Sequence, residues 1–167
     1  PTPTIIPDPI TYINEIRALA RLETIQYSVE KVITGETGGG TFATFFGDKI
    51  LFVGHGTVIA GIDMEKLAPE NMRYENGALS VQLPPTEIFI ATLDNEKSYV
   101  YDRQTGVLTK PDPNLETLVR QKAEEEILKA ALEDGILNQA QINAETYLFK
   151  FFAALGFPNT IFLDNPN

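Results

Sequence analysis

Few side chains in this sequence are of the types that perform chemistry, and their spacing decides what they could do. The single histidine, His55, stands between Gly54 and Gly56. An exposed imidazole there could act as a base or a metal ligand. Either role needs further ligands or a nucleophile, and the chain has no second histidine and no cysteine, so His55 is read as an ordinary turn residue. The serines, Ser28, Ser80 and Ser98, fall within predicted strands, and none occupies the G-x-S-x-G elbow of a hydrolase.

Carboxylates are more numerous. Asp63 with Glu65, or Asp94 with Glu96 and Asp102, could converge as a general acid and base or as oxygen ligands for a hard cation such as calcium. Neither group follows the calcium-loop pattern of acidic or amide residues at alternating positions before a glycine. Aspartates in turns usually accept hydrogen bonds from nearby backbone amides, and Asp63 reads as the cap of a short helix after it. Asp63, Asp94 and Asp102 are therefore weak candidates for an acidic site, and no cofactor or metal is expected. The stretch GETGGG at residues 35–40 shares only its glycine content with a phosphate-binding loop. No lysine or helix N-terminus follows it directly, so it reads as a mobile hairpin loop.

Aromatic residues offer binding rather than catalysis. Tyr147, Phe149, Phe151, Phe152 and Phe157 cannot share one face at helical spacing. With Tyr147, Leu148, Phe151 and Leu155 on a core-facing stripe, Phe149 and Phe152 fall on its flanks. There they lie either beneath the last strand or in an exposed apolar patch that would mark an interface.

Behind these residues stand the elements that must position them. Ile50, Leu51, Phe52 and Val53 predict one strand and residues 57–62 a second, with Gly54-His55-Gly56 as the turn of a hairpin between them. Earlier, residues 22–34 alternate, with Ile25, Tyr27, Val29 and Lys31 on one face, and residues 41–46 are expected to restart the sheet. Leu79, Val81 and Leu83 alternate with Ser80 and Gln82 until Pro84 and Pro85 end the pairing, and Asn76-Gly77 before them fits a type I′ turn. Residues 87–93 and 99–102 give further strands. Helices are predicted where Asp8-Pro9 and Asp112-Pro113 supply a cap followed by proline. Leu115, Val119, Ala123, Ile127, Ala130 and Ala131 mark one face of the second, and Gly135 its end or a kink. A further helix, striped by Ala140 and Ala144, closes at Gly156, and residues 161–163 form a last strand. Strands first and helices afterwards predict an α+β fold: a mostly antiparallel sheet of about six to eight strands packed against C-terminal helices, with a short N-terminal helix.

Composition narrows the partners. Lys and Arg number 13 against 23 Asp and Glu, a formal net charge of −10 that repels phosphate backbones, so nucleic acid is not expected. Without cysteine there are no disulfides and no thiolate chemistry. No apolar run is long enough to span a bilayer. Residues 1–8 read as a stiff proline-rich linker and 9–167 as a single domain, as expected of a processed or truncated product.

The segments GTVIAGIDM (residues 56–64), VQLPPTEI (81–88), VYDRQTG (100–106) and ALGF (154–157) resemble an uncharacterised bacterial envelope family, a domain of unknown function numbered four-two-three-zero. The likeness covers most of residues 20–165. It implies an extracytoplasmic domain held to the membrane by an N-terminal anchor outside this chain, and it assigns no activity and no role to His55. The order of elements is also similar, more distantly, to the band-seven or stomatin-like domains that assemble beside membranes, a likeness of fold only. The reading that follows is a non-catalytic, membrane-tethered envelope domain that assembles or binds a ligand through its sheet and C-terminal helices. Its expected partner is a second copy or another envelope protein. The alternatives are a carboxylate-based hydrolase or metal-dependent enzyme, and a small-molecule or lipid carrier with an apolar cavity beneath the helices.

Overall fold

The architecture was obtained as a computed structural model that describes residues 2–3, 8–38 and 43–165. Among the described residues seven strands and four α-helices follow in the order α1 (Ile13–Arg17), β1 (Arg21–Thr37), α2 (Ala43–Phe46), β2 (Asp48–Asp63), β3 (Met72–Glu75), β4 (Ala78–Val81), β5 (Thr86–Leu93), β6 (Tyr99–Thr105), α3 (Leu115–Glu133), α4 (Ile136–Ala154) and β7 (Thr160–Phe162). The α+β class holds, but the strands form two sheets. One has the order β1-β2-β5, with β6 also pairing β2; the other has the order β3-β4-β7. The chain divides into two compact units, residues 1–25, 60–89 and 136–167 in the first and residues 26–59 and 90–135 in the second. Most of the 1–8 linker reading lies outside the described residues, as do residues 39–42.

In the second unit the predicted hairpin is absent. Residues 48–63 form one continuous strand that passes straight through Gly54-His55-Gly56. The glycines serve the helix above them. A β-carbon on Gly54 would lie 3.0 Å from that of Ala123, and one on Gly56 only 2.7 Å from Ile127 Cδ1 and 2.8 Å from the Thr92 carbonyl oxygen. Bare backbone lets α3 lie close on β2, a role that glycine fills in strands as well as in turns. The face of α3 that does so is Leu115, Val119, Ala123, Ile127 and Ala131, all buried at four-residue spacing, as the sequence pattern predicts. That row is inclined to the helix axis, so successive turns meet successive positions of the sheet.

Two neighbouring expectations also change. Residues 35–37 extend β1 rather than opening a loop, and residues 43–46 are a helical turn rather than a strand, the Phe45 carbonyl accepting from the Leu108 amide just after β6. β6 pairs antiparallel with β2 from Asp48↔Thr105 to Val53↔Tyr99. A bulge falls between Leu51 and Phe52, where Tyr101 is left over.

The first unit is built round an aromatic core. β3 and β4 form the expected hairpin, with positive φ at both Asn76 (53°) and Gly77 (76°). Asp63 caps the short turn after β2, its Oδ1 accepting from the Glu65 amide at 3.1 Å. β7 joins this sheet parallel to β4, Leu79↔Thr160 to Val81↔Phe162. On α4 the buried row is Ile136, Ala140, Ala144, Leu148 and Phe152. Phe157 is buried with edge-on contacts to Tyr12 (5.8 Å) and Tyr74 (5.5 Å), which tie the N-terminal turn and β3 to the tail.

Because Gly56 lies beneath Ile127 against a backbone carbonyl that cannot move away, Gly56→Ala is expected to destabilise the protein by about 2 kcal/mol. Denaturant unfolding measures this directly. An unchanged midpoint would mean that α3 does not press on this strand.

Candidate functional site

Among the described residues of the second unit the least exposed polar side chain is Asp48 at the start of β2, only 3% exposed. Arg103 reaches it from β6 with two hydrogen bonds, Nε to Oδ1 at 3.2 Å and Nη2 to Oδ2 at 2.7 Å. Thr105 donates its hydroxyl to Oδ1 at 3.1 Å and the Asp112 amide donates to Oδ2 at 2.7 Å, while Arg103 Nη2 also donates to the Asp112 carbonyl at 2.9 Å. The Arg103 bonds, with those from Asp112 and Thr105, outweigh the cost of burial and hold the carboxyl down at about 2. A carboxylate that is this fully occupied has no lone pair or basicity to offer a substrate near neutral pH. Its work is to fasten β2, β6 and the entry to α3. Sequence reasoning missed Asp48 because its partners lie 55 and 64 residues away; the one local signal was an acidic residue opening a strongly apolar strand.

His55 lies mid-strand on the face of β2 turned away from α3. Its Nδ1 stands 3.6 Å from Glu30 Oε2 on β1, both side chains being substantially solvated, so the pair is loose and worth little. Ser98 is committed to the backbone, its Oγ accepting from the His55 amide at 2.9 Å and donating to the His55 carbonyl at 3.2 Å. A shallow depression of about 250 Å3 beside them is lined by Ser28, Glu30, His55, Thr57, Asp94 and Lys97. This arrangement can hydrogen-bond a solute but provides no activated nucleophile.

The acidic candidates are each engaged locally. Asp63 holds the cap described above, in the first unit. Asp94 accepts from the Glu96 and Lys97 amides at 3.0 and 3.1 Å, and Asp102, exposed on β6, accepts from Gln104 at 3.3 Å. Among the described residues no group of three His, Asp or Glu side chains is placed to hold a metal ion.

Of the aromatic candidates, Phe149 is 44% exposed on α4, whereas Phe152 is wholly buried. The split has a geometric cause: the core row follows every fourth residue from Ile136, which brings Phe152 inward towards Phe162 of β7 and leaves Tyr147, expected in the core, 47% exposed.

Among the described residues, two further grooves lie in the second unit. One, of about 590 Å3, runs between the end of β5 and α3 past Leu93, Arg120 and Glu124. Arg120 is already bound to Glu116 and Asn95 and lies 4.8 Å over the Phe52 ring, and Glu124 accepts from the Leu93 amide. The other, of about 610 Å3, follows six consecutive residues of β1, Gln26 to Lys31, beside Ala130, Ala131 and Asp134 of α3 and the turn after it.

Removing the charge at Asp48 tests its structural role. Its folded value lies below the ordinary 3.8, so the stability it contributes is fully present above 3.8 and is lost as the pH falls through about 2. Asp48→Asn is expected to cost about 2 kcal/mol at neutral pH, by setting an amide against the guanidinium, and to flatten the acid limb of stability against pH. Unfolding midpoints measured from neutral to acid pH report both effects.

Among the described residues no helix is long and apolar enough to cross a membrane. Neither the curated proteins nor the solved structures contain a match to this chain. A family model does match residues 14–161, which include β2, the VYDRQTG segment bearing Arg103 and both long helices, and the chain therefore belongs to the family described as protein of unknown function (DUF4230).

Proposed function

We propose that this protein is a non-catalytic assembly module that pairs with a second copy of itself along the free edge of β1. Its placement as a membrane-tethered domain on the extracytoplasmic side of a bacterial envelope belongs to the same proposal and is supported by the resemblance in its sequence. The observation that carries the reading is β1 itself. At 17 residues it is the longest strand, it ends the order β1-β2-β5, and among the described residues no strand pairs its outer side. Such an edge is a template for a further strand. The groove along Gln26 to Lys31 gives that strand room, with alanines rather than bulky side chains on the helix beside it.

Residue chemistry selects a register. An antiparallel pair about a two-fold axis at Val29 sets Val29 against its counterpart, Ser28 against Glu30 and Tyr27 against Lys31, with no like charges opposed. Centring the axis on Glu30 would oppose two carboxylates, and on Lys31 two ammonium groups. The chain's acidity is thereby compatible with self-pairing at this register, whereas moving the axis towards Glu30 or Lys31 opposes like charges.

Light scattering over a wide concentration range is expected to show twice the monomer mass for the wild type and a monomer for Val29→Lys, with unchanged circular dichroism. A wild type that stays monomeric throughout, or a Val29→Lys that still dimerises, overturns the reading. Dissociation by Phe149→Asp but not by Val29→Lys would move the interface to α4.

A further inference from the structure

At the end of the second unit where β2 begins and β6 ends, two segments present a cluster of large apolar side chains. Phe45 and Phe46 on α2 are 46% and 55% exposed, and Val107 and Leu108, just after β6, are 77% and 66% exposed. The segments are clamped together through their backbones. The Gly106 amide donates to the Gly47 carbonyl at 2.6 Å and the Leu108 amide to the Phe45 carbonyl at 2.8 Å, and the Thr109 amide closes a turn onto Gly106. A side chain at Gly106 would run into the backbone of Phe45, so only glycine permits the approach.

We infer that this tip is a membrane-contact site that inserts its four apolar side chains at the headgroup–acyl boundary of a phospholipid bilayer. The inference is independent of pairing along β1. Three observations favour lipid over a protein partner. The side chains project from a doubled loop rather than lining a groove, so a protein would need a matching pocket for each, whereas a fluid bilayer conforms to them. The backbone clamp holds the segments in place, so little order need be gained on insertion.

Charge distribution is the third. In a chain of net charge −10, residues 43–47 and 104–111 contain no Asp or Glu and one cation, Lys110. The nearest carboxylates are few, and Asp112 accepts from the Asn114 amide. Asp48 is buried on Arg103, and Glu36 stands 3.7 Å from Lys49. The protein's acidity, which would repel an anionic surface, is sparse along these two segments themselves, and Lys110 flanks the apolar residues where phosphate groups would lie.

The chain has no tryptophan, so Phe46→Trp gives a single reporter at the tip. With excess phosphatidylcholine vesicles, with and without a fraction of phosphatidylglycerol, its emission is expected to shift to the blue. Co-sedimentation of the wild type is expected to fall at least about tenfold in partition coefficient for Phe46→Ser/Leu108→Ser, whose altered positions are exposed and leave the fold intact. Lys110→Glu is expected to weaken binding only to the anionic vesicles. Unshifted emission with either vesicle, or equal sedimentation of wild type and double variant, overturns the inference. So does a concentration-dependent oligomer that the double variant abolishes, because it would assign the patch to a protein contact.

Discussion

A carboxylate inside an apolar sheet is tolerable only when its lone pairs find donors, and Asp48 finds four, from Arg103, Thr105 and the Asp112 amide. That requirement fixes more than one residue. The guanidinium sets the register in which β6 meets β2, and the amide of Asp112 fixes the chain just before α3 begins. A buried ion pair is weak evidence for stability in itself, since apolar residues could fill the same volume. Its value lies in specificity: a slip of β6 by one residue would strand a charge in the core and turn each of its side chains to the opposite face.

The packing of α3 follows from that anchorage. With its start fixed, the helix lays its four-residue row over β2, and the sequence of β2 accommodates it with glycine where the axes come nearest. The faces left over define the surfaces available for function. The outer face of β2 carries His55 and Thr57 over small, solvated contacts, whereas among the described residues no strand pairs the outer side of β1, and the tip at Phe45–Phe46 and Val107–Leu108 exposes large apolar side chains.

In the first unit the same logic acts through aromatic packing. Phe157, just beyond the end of α4, is gripped by Tyr12 and Tyr74, and Phe152 lies 6.3 Å from Phe162 on β7. The turn bearing Tyr12 and the segment after α4 are therefore held in one core, and β7 completes the sheet by lying parallel to β4 after a connection that includes both long helices.

The sequence by itself determined whatever depends on near neighbours: the Asn76-Gly77 hairpin, because few residues accept positive φ; the cap at Asp63; the buried stripe of α3; the end of that helix at Gly135; and the exclusion of thiol chemistry. Only the tertiary structure decided what lies over what. Glycine reads alike whether it turns a chain or makes room for a helix, so Gly54 and Gly56 suggested a hairpin until Ala123 and Ile127 were found above them. Phe152 and Phe149 are equally apolar, and the direction from which α4 is covered chose the first for the core and left the second at the surface. Asp48 looks unremarkable until Arg103 and Asp112 arrive from more than fifty residues away. Local dihedral and periodic preferences are written residue by residue, whereas burial and partnership are properties of distant segments brought together, and they exist only once the chain has folded.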